Sequence, residues 1–137
     1  MIRFEKLTVP ETVYPFQDAV AAADYINGIF GSVSNGTFTA GTGNLCVMQV
    51  EKGDNANSNE FKVLNGEHVR VADLSLDAVQ GLIVNVTADE LPSTYAVGNI
   101  LKAASTGLLV VDSTSGAKGL KVIEVTDYGV RAVIAVA

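Results

Sequence analysis

The stretch Gly119–Ala137 constrains this chain more than any other. Gly119-Leu-Lys-Val-Ile-Glu-Val-Thr126 and Gly129-Val-Arg-Ala-Val-Ile-Ala-Val-Ala137 are runs dense in β-branched residues, joined by Thr126-Asp127-Tyr128-Gly129. Val and Ile fit a pleated surface, and Asp/Gly between two such runs marks a hairpin. Gly129 is expected to supply the positive φ that follows a type I turn. A chain that closes on such a hairpin commits its core to a sheet.

The same punctuation extends upstream. Thr37–Ala40 and Leu45–Glu51 flank Gly41-Thr-Gly43, and Phe61–Leu64 meets Glu67–Val71 at Asn65-Gly66, a favoured two-residue hairpin turn. Leu82–Thr87, Ala96–Ala103 and Leu108–Asp112 follow, and Ser113–Gly119 reads as a loop. Short strands at this spacing predict a mainly β fold, an antiparallel sandwich or small barrel over residues 32–137.

Two features nearer the N-terminus depart from that text. Pro15 suits the first turn of a helix, and Phe16, Ala19, Val20, Ala23 and Ile26 follow at helical spacing before Asn27-Gly28. The spacing predicts one N-terminal helix over 15–28. Residues 1–10 read as an extended N-terminal arm ending at Pro10, with Ile2, Phe4, Leu7 and Val9 as its apolar positions. Those four are the candidate partner-binding residues. An arm of this kind is expected to serve assembly more than folding. The length predicts a single domain, 1–137.

Composition narrows the function classes. Fifteen Asp and Glu stand against nine Lys and Arg, with no basic cluster, so a phosphate backbone would be repelled and nucleic acid is not an expected partner. No apolar run approaches the ~20 residues of a membrane span, and the opening Met-Ile-Arg-Phe-Glu-Lys lacks a signal-peptide core. The expectation is a protein made in the cytoplasm, with no membrane partner.

Catalytic equipment is sparse. His68 is the single histidine, which excludes multi-histidine metal sites and leaves few arrangements for a triad. Alternation in Glu67-His-Val-Arg-Val71 puts Val69 and Val71 on one face and His68 and Arg70 on the other, so a solvated strand histidine is expected. The lone Cys46, within Leu45-Cys-Val-Met-Gln-Val50, reads as a small buried thiol. Gly41-Thr-Gly43 lacks the third glycine and following helix of a dinucleotide site, and reads as a bend. Asp54-Asn-Ala-Asn-Ser-Asn-Glu60 is rich in oxygen ligands but misses the calcium-loop spacing and its glycine, so it reads as a polar loop. Asn35-Gly-Thr37 and Asn85-Val-Thr87 match the glycosylation triplet without a secretion signal. The residues predict no enzyme, no cofactor and no metal.

From Gly66 onward the chain resembles small auxiliary capsid proteins of tailed bacteriophages, the head decoration or cement proteins. Glu67-His-Val-Arg-Val-Ala-Asp73, Tyr95-Ala-Val-Gly-Asn-Ile-Leu101, Gly107-Leu-Leu-Val-Val111 and Val122-Ile-Glu-Val-Thr-Asp-Tyr-Gly-Val-Arg-Ala132 carry the likeness, which covers roughly half the chain. The resemblance implies a virion structural protein on the outer capsid surface that binds assembled major capsid protein and stabilises the shell. It also implies a homo-oligomer, with a trimer as the first expectation. The alternative from another class is a ligand-binding β module for carbohydrate recognition or adhesion on a virion fibre. Sugar sites favour stacked aromatics, whereas Trp is absent and Tyr14, Tyr25, Tyr95 and Tyr128 are scattered.

Overall fold

The structure, a computed structural model, describes residues 1–5, 15–48 and 62–136. Thirteen strands are present among them: β1 (Ile2–Phe4), β2 (Phe16–Ala21), β3 (Tyr25–Ile26), β4 (Phe30–Ser34), β5 (Thr37–Ala40), β6 (Leu45–Val47), β7 (Lys62–Val63), β8 (His68–Asp73), β9 (Ile83–Thr87), β10 (Ile100–Ala103), β11 (Leu109–Val111), β12 (Gly119–Thr126) and β13 (Gly129–Ala135). They make a closed barrel in the order β2-β5-β4-β6-β8, a six-stranded antiparallel sheet in the order β1-β9-β13-β12-β10-β11, and a small β3-β7 ribbon. Both a barrel and an open sheet are therefore present, where the sequence predicts one architecture or the other.

The closing hairpin forms where the sequence places it. Thr126 lies opposite Gly129 and the chain reverses through Asp127 and Tyr128. Gly129 serves a different purpose from the expected one. Its φ of 159° is nearly extended. A Cβ there would lie 1.8 Å from the carbonyl oxygen of Val86 on β9, so glycine is required by the close approach of β9 to β13.

No helix forms over 15–28. Phe16–Ala21 is a strand paired antiparallel with β8, from Phe16 opposite Ala72 to Val20 opposite His68, and Tyr25–Ile26 pairs with β7. The helical spacing competes with a second pattern in the same residues, Ala19 and Ala21 alternating inward while Val20 faces out. β2 closes the barrel between β8 and β5, and the ladder bonds it gains on both sides override a weak local preference.

Turn chemistry is also redistributed. Asn35-Gly36 is the two-residue hairpin turn between β4 and β5, with φ of 53° and 77° and Ser34 opposite Thr37. Positive φ at both central residues is the reason for Asn-Gly there. Asn65-Gly66 does turn the chain, with Glu67 N–H donating to the Leu64 carbonyl at 2.9 Å. It joins no hairpin, since β7 pairs with β3 whereas β8 pairs with β2 and β6.

Barrel and sheet share a wall. Inside the barrel, Phe38, Val47, Val69 and Val71 pack with Ala19, Ala21, Tyr25 and Val63. Tyr25 and Phe38 meet edge to face at 5.3 Å. The next residue along β6 and β8, Cys46 and Ala72, turns outward and joins the second core beneath the sheet. That core includes Ile2, Val84, Val86, Leu101, Leu120, Val122, Ala132 and Ile134. Gln80 holds the end of β13 in place: its amide donates to the carbonyls of Leu74 and Leu76 at 2.6 and 3.0 Å and accepts from Val136 N–H at 3.0 Å.

Candidate interaction surface

The outer face of the six-stranded sheet, together with the β12-β13 tip, gathers the accessible chemistry. Cross-strand register sets Arg3, Asn85, Arg131 and Glu124 in one row across β1, β9, β13 and β12. Arg131 donates to Glu5 Oε2 and Oε1 at 2.9 and 3.0 Å and to Glu124 Oε2 at 2.7 Å. Its pKa is raised by these bonds, those to Glu5 first. The pairs are exposed and fix side-chain geometry more than they add stability.

Beside that row, Met1, Arg3, Asn85, Thr87 and Tyr128 line a concavity of about 160 Å³. Its floor is tied to a buried carboxylate. Glu90 is 1% exposed and ion-pairs with the Met1 amine, while Thr87 Oγ1 donates to Glu90 Oε2 at 3.0 Å. Burial raises the Glu90 pKa, and the amine and the threonine hydroxyl pull it back only in part.

The hairpin tip offers a different surface. β10 pairs with β12 only at Ile100–Lys121 and Leu101–Leu120, and the segment before it bonds as far as Val122. A register shift at Ile123 then interrupts the β12-β13 ladder. Among the described residues, no strand covers Ile123–Thr126 on that side. Ile123 and Val125 are 37% and 48% exposed there, and Tyr128 at the turn is 59% exposed.

The candidate arm residues are placed unequally. Ile2 is wholly buried under the sheet, with β1 paired to β9, and Phe4 is half-buried, edge-on to Phe16 at 6.0 Å. Ile2 is thus spent on the protein's own core. Leu7 and Val9 lie outside the described residues, as do Tyr14 and the Asp54–Glu60 stretch. His68 is exposed on β8, and the Arg70 guanidinium sits 3.9 Å above the Phe16 ring. Cys46 is buried at the seam between barrel and sheet; burial pushes its thiol far up, and Glu90 adds to the effect. Such a thiol is inert as a nucleophile. Among the described residues, no group of three or more His, Cys, Asp or Glu is placed to hold a metal ion.

Sequence reasoning missed Arg3, Asn85 and Glu90 as a neighbourhood. Arg3 carried a signal, a charge between the alternating Ile2 and Phe4. Its meeting with Asn85, far along the chain, rests on the β1-β9 register alone. Comparison of the chain with protein-family models, curated proteins and solved structures finds no match.

Proposed function

We propose that this chain is a virion structural protein that decorates and stabilises the outer surface of a phage capsid by binding assembled major capsid protein. The observation that carries the reading is the uncovered half of β12. An edge that no strand covers among the described residues, with exposed Ile123 and Val125, suits strand addition, in which main-chain bonds give affinity and alternate side chains give specificity. The resemblance from Gly66 onward supports the same role, and bridging several capsid subunits favours a homo-oligomer, a trimer first.

Co-sedimentation with assembled shells and with soluble capsid subunits tests this. The expected result is binding to shells and not to free subunits, weakened at least tenfold by Val125→Lys, a loss of about 1.4 kcal/mol. Equal affinity for shells and subunits, or no binding to either, overturns the proposal.

A further inference from the structure

The concavity lined by Met1, Arg3, Asn85, Thr87 and Tyr128 presents a guanidinium that has no acceptor among the described residues. Its other cation, the Met1 amine, is committed to Glu90 and Thr87. The neighbouring Arg131 is held by Glu5 and Glu124. Arg3 forms no ion pair or side-chain hydrogen bond among the described residues, although acidic residues outnumber basic ones and six negative charges remain in excess. Its cross-strand neighbour is Asn85, and Tyr128, 59% exposed, lines the same space. A guanidinium fork, a carboxamide and a phenol thus line one small space.

From this arrangement we infer a carboxylate-binding subsite on the outer face of the sheet. A carboxylate offers two oxygens in the plane that a guanidinium fork matches, with lone pairs left for an amide and a hydroxyl. The space of about 160 Å³ takes a group of that size. The excess negative charge of the whole chain disfavours multiply charged ligands such as phosphate esters, and a singly charged group experiences least of that repulsion. Rigid backing strengthens the inference. Arg3 and Asn85 sit on paired strands, and the Glu90–amine–Thr87 cluster anchors the floor. The carboxylate can belong to a free small acid or to an acidic side chain on a partner; the recognising chemistry is the same. This inference concerns the sheet face, not the β12 edge, and holds whether or not the chain decorates a capsid.

The test is an NMR titration of the full chain at fixed ionic strength, following the Arg3 Nε–H and the Asn85 side-chain amide. Sodium acetate represents the free acid and acetyl-Gly-Asp-Gly-amide the acidic side chain, with sodium chloride and inorganic phosphate as comparisons. Saturable shifts with at least one carboxylate probe are expected, with the tighter probe identifying the source. Arg3→Gln, an exposed change on an edge strand, is expected to abolish saturation, and Lys121→Gln, which removes another exposed cation from the same face, to preserve it. The inference is overturned by any of four results: no saturation with either probe, saturation that survives Arg3→Gln, equal loss with Lys121→Gln, or tighter binding of chloride or phosphate. Capsid binding is not read in this experiment, so its failure leaves the decoration role untouched.

Discussion

Glu90 is where burial and charge oppose each other most directly. Its carboxylate is buried against Gly28, where a Cβ would come within 2.8 Å of the Glu90 side chain, and the Met1 amine is its counter-ion. Burial wins, and the pKa rises above the ordinary glutamate value. The folded state therefore holds this proton more tightly than the unfolded chain. The resulting stability is fully present below the ordinary glutamate range and is lost as pH rises through the raised pKa. Glu90→Gln cannot titrate, so the wild type is expected to gain stability relative to this variant as pH falls from neutrality to about 4, below the usual glutamate pKa. Urea midpoints of the two proteins across that range check the sign; a constant difference contradicts it. Glu90→Ala leaves the amine without its counter-ion. Because the amine is partly exposed, the expected loss is near the lower end of the roughly 3–5 kcal/mol for breaking a buried pair.

At the scale of the element, β1 changes meaning between sequence and structure. Its alternation was legible, with Ile2 and Phe4 on one face and Arg3 on the other. What so short a strand pairs with was not, because β9 lies far along the chain. Ile2, one residue of an arm expected to serve assembly, is buried in the core. Ile2→Ala is expected to cost about 2–5 kcal/mol by transfer and cavity terms together. Chemical denaturation measures it, and a loss within error of zero returns Ile2 to the role of a docking residue. The β2 segment teaches the complementary lesson. Phe16, Ala19, Val20, Ala23 and Ile26 keep helical spacing, but Ala19 and Ala21 also satisfy a strand period. Short segments of this kind are decided by which neighbour can accept their backbone bonds.

Across the whole molecule, the barrel wall is common to both cores. Adjacent residues on β6 and β8 divide between them: Val47 and Val71 inside the barrel, Cys46 and Ala72 at the seam. Neither core can be dismantled without exposing the other, so one cooperative transition is expected. Methyl NMR signals of Val71 in the barrel and Val84 under the sheet should disappear at the same urea concentration. Two separated midpoints contradict the shared-wall argument. Cys46→Ser, which places a hydroxyl in that seam, is expected to lower both together by about 1–3 kcal/mol.

The sequence by itself determined the β class, the closing hairpin, the positions of β9 and β11 to within about a residue or two, and the burial of Cys46, Val69 and Val71. Each follows from local alternation and β-branching, which need no distant partner. Tertiary structure alone decided that β2 is a strand, that Asn35-Gly36 rather than Asn65-Gly66 closes a hairpin, and that Arg3, Asn85 and Tyr128 share one concavity. The first depends on barrel closure, the second on which sheet receives each strand, and the third on the β1-β9 register. The first and third are contacts between residues distant in the chain, about which local periodicity carries no information, whereas the second turns on which of two Asn-Gly pairs stands between strands of one sheet.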